Sequence, residues 1–86
     1  MSRNTNRLRL LRRPECGLCE DMARDLQRLR VDFDEVDIED DEGLEHAFGE
    51  AIPVLLDGDA EIARAPQTEQ SLRVALIRAG LLPAVR

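Results

Sequence analysis

The sequence predicts an α/β domain with its elements in the order β-α-β-α-β-β-α. Three observations carry that prediction. The only two cysteines, Cys16 and Cys19, stand as Cys-x-x-Cys between a short apolar run and an amphipathic helical pattern. A wholly apolar stretch over residues 51–56 contains Pro53 and runs into Asp57-Gly58-Asp59, a strong hairpin signal. Leucines and alanines at three- and four-residue spacing then close the chain on a last helix.

Each element has its own justification. Residues 1–6 are polar and read as a flexible tail, with one domain over 7–86. Leu8, Leu10 and Leu11 interleave with Arg7, Arg9, Arg12 and Arg13, which suits a strand with one face buried. Pro14 ends it, having no N–H to give to a ladder. From Leu18 onward, Met22, Ala23, Leu26 and Leu29 share one side and Arg24, Asp25, Gln27 and Arg28 the other, a helix of about three turns. Residues 31–38 alternate at each end and slip near Glu35, which predicts a strand with a bulge.

An acidic run then leads to Leu44, Ala47 and Phe48 on a short helix ending near Gly49, and carboxylates in a first turn suit the helix dipole. The stretch after Pro53 is the most apolar and should be a central strand, returning through Ala60 to Ala63 as a fourth. Pro66 and Thr68 open the last helix, with Thr68 as N-cap. Leu72, Ala75, Leu76 and Ala79 form its inner stripe, Gly80 closes it, and Leu81, Leu82 and Pro83 should fold back onto the core.

Composition removes several function classes. Eighty-six residues make one small domain, and so short a chain buries only a little over ~60% of its unfolded surface. Cysteines three positions apart close too small a loop to offset that, so the pair calls for a chemical explanation. A net charge of −6, two Phe and no Trp or Tyr argue against a nucleic-acid partner. All twelve positive side chains are Arg, which removes Schiff-base and lysine-base mechanisms. No apolar run suits a secretory signal or a membrane span, so a cytoplasmic protein with no membrane partner is expected. In that compartment Cys-x-x-Cys points to redox chemistry or metal binding before structure.

A thiol at a strand-to-helix junction lies near unpaired helix N–H groups, whose partial charge favours the thiolate that attacks disulfides. Arg12 and Arg13 should lower the Cys16 pKa, while Glu15, Glu20 and Asp21 should raise it, leaving a modest depression. A closed zinc site wants four ligands; here two cysteines are joined only by His46, on another element, so no metal is expected. His46 reads as a surface side chain. The acidic run fails the calcium-loop pattern: counted from Asp37, the sixth residue is Glu42 and the twelfth Phe48. Redox activity, a silent remnant and metal binding remain the three readings of the pair, in that order.

With Cys-x-x-Cys between the first strand and helix, and Ile52-Pro53 opening the third strand, the chain resembles the thioredoxin fold at glutaredoxin size. More closely, it resembles small bacterial glutaredoxin-like proteins with a Cys-x-Leu-Cys-Glu signature, here Cys16-Gly17-Leu18-Cys19-Glu20 backed by Asp21-Met22-Ala23. The resemblance covers residues 7–80 and implies a four-stranded mixed sheet flanked by three helices. It implies Cys16 as the attacking thiol and Cys19 as the resolving thiol. Pro53 would be a cis-proline facing the pair, and the backbone of Ile52 would pair with an extended substrate. Arg13 could hold a carboxylate of glutathione.

Two stretches depart from the family pattern. Gly17 and Leu18 replace the usual proline and aromatic, and Ala63-Arg64-Ala65-Pro66-Gln67-Thr68 replaces the Gly-Gly pair and acidic residue that grip glutathione. The implied activity is a monomeric thiol–disulfide oxidoreductase or electron carrier, without a cofactor, acting on a protein or low-molecular-weight disulfide. The rival is a non-catalytic binding module with an acidic partner-binding face.

Overall fold

A computed structural model describes residues 8–65 and 67–83; the tail read over 1–6 and Pro66 lie outside the described residues. The elements are β1 (Leu8–Arg12), α1 (Gly17–Arg28), β2 (Asp34–Asp37), α2 (Glu42–Phe48), β3 (Val54–Asp57), β4 (Ala60–Arg64) and α3 (Glu69–Arg78). A single 3₁₀ turn, Ile38–Asp40, joins β2 to α2. This is the predicted order. The strands lie as β2-β1-β3-β4, with β1 parallel to β2 and the other pairings antiparallel, a mixed sheet. A parallel pair needs a crossover, which α1 supplies, whereas the tight turn at residues 58–59 suffices between β3 and β4.

Two clusters form on this frame. The larger joins Leu8 and Leu10 of β1, Leu55 of β3 and Ala63 of β4 to Met22, Ala23, Leu26 and Leu29 around α1 and to Leu72 and Leu76 of α3. The smaller contains Leu11, Ile38, Val54 and Leu56, with Leu44 and Phe48 half-buried over it. β1 is therefore buried on both faces rather than the one its alternation suggests, because Leu11 follows Leu10 and starts the second cluster. All three leading residues of β3 are buried, as an inner strand requires.

The bulge is not at Glu35. β2 pairs residue for residue with β1 from Asp34 to Asp37, and the register shift falls between Leu55 and Leu56, opposite Ile62 of β4. The slip in the sequence pattern has another cause: Val31 and Phe33 precede the strand and pack against the larger cluster from a loop.

The long helices end alike. After α1, Arg30 takes a left-handed φ of 62° while its N–H and that of Val31 satisfy the carbonyls of Gln27 and Leu26. After α3, Gly80 (φ 78°) and Leu81 do the same for Ile77 and Leu76. Thr68 caps α3 through Ser71, whose hydroxyl accepts in return from the Thr68 N–H. Leu72 and Leu76 are buried along the predicted stripe, Ala75 and Ala79 only partly. Leu81 and Leu82 fold against the core, but Pro83 stays exposed.

Candidate active site

Strand direction gathers the chemistry at one end of the sheet. β1 runs out there, β3 starts there with Val54 opposite Leu11, and β4 ends there with Arg64 opposite Val54. The dithiol loop and the Ile52–Pro53 segment, which leave that edge, are therefore neighbours by topology.

Cys16 is the N-cap of α1, in extended conformation, and its Sγ accepts from the Cys19 N–H at 3.2 Å. A cap sulfur is thus held against the helix's positive end, the placement that favours a thiolate once the bond is reduced. Cys16 and Cys19 are disulfide-bonded, with Cα atoms 5.2 Å apart. Their environments differ. Cys16 is partly exposed, whereas Cys19 is fully buried, because it lies on the same helix face as Met22, Ala23 and Leu26. Beside them Leu18 is 56% exposed, unusual for a large apolar side chain, and a Cβ on Gly17 would meet nothing within 4 Å. The dithiol rim is open.

The Ile52–Pro53 bond is cis and Pro53 is buried. Its carbonyl accepts from the Ala65 N–H at 3.3 Å, which continues the β3–β4 pairing past the end of both strands. Ile52 is half-buried against the smaller cluster.

Arg13 is committed elsewhere. Its Nη1 and Nη2 donate to the two carboxylate oxygens of Glu45 at 2.8 and 2.5 Å; Nη2 also donates to the Gly49 carbonyl at 2.9 Å. Glu39 stands 3.4 Å from Nη1. This clasp ties the exit of β1 to α2 and to the start of the segment that carries Pro53. The hydrogen bond from Arg13 holds the Glu45 carboxyl below its ordinary range, and the same bond raises the Arg13 pKa. Arg12 turns toward β2 and pairs with Glu35 at 3.2 Å. Both arginines expected to acidify Cys16 are thus matched by carboxylates, and the helix start remains the fixed source of positive potential.

Gly49 explains how the clasp closes. Its φ of −54° is ordinary, so backbone freedom is not the reason for a glycine. A Cβ there would lie 2.5 Å from the Glu45 backbone carbonyl, the contact least able to yield, and 2.8 Å from Glu45 Oε2 and 3.0 Å from Arg13 Nη2. Alongside runs an open groove of about 700 Å³, lined by Arg13, Glu45, Phe48, Gly49, Ala51 and Arg64 among others. Arg64 donates from Nε and Nη2 to the two oxygens of Glu61, each at 2.6 Å. That bond lowers the Glu61 pKa and raises that of Arg64. His46 is exposed on α2.

Sequence reasoning singled out Cys16, Cys19, Arg13, Ile52 and Pro53, and all five leave the same end of the sheet. It missed Glu45, Gly49, Glu61 and Arg64. Arg13 and Glu45 are 32 residues apart and share no local pattern. The three-residue spacing of Glu61 and Arg64 was a visible signal, though the strand bulge between them was not.

No helix among the described residues is long and apolar enough to cross a membrane. The glutaredoxin-like domain (DUF836) family model matches residues 7–81. No curated protein matches significantly. Among solved structures, protein XcR50 from X. campestris is 35% identical with a TM-score of 0.76, over 83% of this chain and 96% of that one. Protein Ne2328 from Nitrosomonas europaea is 23% identical with a TM-score of 0.68, over 95% and 100%. A buckwheat glutaredoxin in complex with glutathione shares the fold at 16% identity and a TM-score of 0.63, over 92% and 84%. On this family match across nearly the whole sequence, with a dithiol and a cis-proline at one end of the sheet, the chain belongs to the glutaredoxin-like domain family.

Proposed function

We propose that the chain is a thiol–disulfide oxidoreductase or electron carrier that reduces a protein or low-molecular-weight disulfide. The observation that supports this reading best is the asymmetry of the pair: a partly exposed N-cap sulfur bonded to a fully buried one. In the reduced form the Cys16 thiolate attacks one sulfur of the substrate disulfide, and the other sulfur leaves as a thiolate. Cys19 then gives up its proton and attacks the Cys16 sulfur. The second substrate thiolate departs, and the Cys16–Cys19 bond closes. Two electrons pass from the dithiol to the substrate, and an external thiol donor restores the dithiol.

The backbone of Ile52 and the ring of Pro53 would receive the chain flanking the substrate cysteine. Arg13 would reach a substrate carboxylate only by exchange with Glu45. The cytoplasm, where thiols are kept reduced, is the compartment that suits this cycle. The glutathione bound by the buckwheat protein makes a small thiol of that kind a candidate substrate or reductant here.

The test is turnover of a disulfide substrate by two variants. Cys16→Ser should lose all exchange activity. Cys19→Ser should accumulate a mixed disulfide on Cys16, read as an added substrate mass. Full activity in Cys16→Ser would overturn the reading.

A further inference from the structure

Both guanidiniums that line the groove, which runs along α2 to Ala51, are already bound to carboxylates of the same chain. Arg13 is held by both oxygens of Glu45, and Arg64 by both oxygens of Glu61. Paired N–H donors on a carboxylate form the strongest common class of charged hydrogen bond. A carboxylate tethered a few ångströms away acts as a competitor at an effective concentration of about millimolar or more. A free anion must displace it to reach either arginine. Gly49 leaves room for the pair: a side chain there would meet the Glu45 backbone carbonyl first and then the Glu45 carboxylate and the Arg13 guanidinium. Glu50 also lines the groove, and Glu39 stands beside Arg13. Three carboxylates (Glu39, Glu45, Glu61) thus contact the two guanidiniums and a fourth, Glu50, lines the groove, a local excess of two negative charges.

We propose that Glu45 and Glu61 are specificity-determining residues: by masking Arg13 and Arg64 they turn the groove away from anionic thiol ligands and toward a neutral or basic peptide segment. The purpose of this selectivity rests on the disulfide-exchange reading; the masking itself does not. It predicts that the dithiol serves protein disulfides with uncharged or basic flanks in preference to a ligand bearing two free carboxylates.

The test is binding, which needs no turnover. The probes are S-methylglutathione, which has two carboxylates and no free thiol, and its dimethyl ester. Both are titrated calorimetrically into the oxidised protein and into Glu45→Gln, Glu61→Gln and the double variant. The wild type should bind the ester at least as tightly as the acid. Each single variant should bind the acid several-fold more tightly than the wild type, and the double variant about tenfold or more. That gain should vanish at high salt, and the ester should lose affinity. Variants that show no gain for the acid, or that change both probes equally, would overturn the masking, as would a wild type that prefers the acid tenfold. Exchange of a neutral disulfide is assayed separately. Its absence would overturn the proposed function and leave the binding result to decide the masking.

Discussion

The two faces of the sheet are held by different means. Toward α1 and α3, ten buried residues interlock, and both helices contribute fully buried leucines. Toward α2, the buried set is Leu11, Ile38, Val54 and Leu56, and α2 itself buries no residue fully. There the Arg13 clasp on Glu45 and Gly49 adds a polar tie between the exit of β1 and α2. The buried cysteine sits on the first face, and the groove opens on the second. A buried sulfur and an open groove are thereby separated within a chain of 86 residues.

The contrast can be broken most forcefully on the first face. Leu26→Ala removes a side chain with no exposure at all from the larger cluster, and should cost about 2–5 kcal/mol by chemical denaturation. A cost well under 1 kcal/mol would mean that the face is not the rigid one. Gly49→Ala probes the second face without touching the first. Its new Cβ crowds the Glu45 carbonyl as well as the clasp, and the expected cost is about 1–3 kcal/mol. Hydrogen exchange should show the loosening confined to α2 and residues 49–53.

The smallest effect is the most specific. Glu45 is held below its ordinary pKa by Arg13, so the pair's stabilisation is present above the unfolded value, near 4.3. It is lost as pH falls through the lowered folded value. Melting temperature followed downward from pH 5 should therefore drop more steeply in the wild type than in Glu45→Gln. Parallel curves would remove Glu45 from the account.

Much of the first face was legible in the sequence, because periodicity reports burial. Met22, Ala23, Leu26 and Leu29, then Leu72 and Leu76, appear where the helical spacing puts them. The dithiol and Ile52–Pro53 were legible for a different reason, since each occupies a short motif at an element boundary. The second face was not. Its clasp joins residues from two distant elements and leaves no local pattern, and its glycine serves space rather than a turn. The bulge was misplaced because Val31 and Phe33 are apolar for the sake of a loop. Nothing in the sequence marks Arg30 as left-handed, a conformation ordinarily left to glycine and met here by the helix-end hydrogen bonds.

The mixed sheet has a further consequence at its margins. Its outer strands are β2, read Asp-Glu-Val-Asp, and β4, where the register shift falls opposite Ile62 between Glu61 and Ala63. An acidic border repels a second copy of itself, and an irregular one offers no flat ladder for an incoming strand. Small domains with thin cores are exposed to edge-to-edge aggregation whenever they are concentrated. In this one, both rims are furnished against growth of the sheet from one molecule into the next.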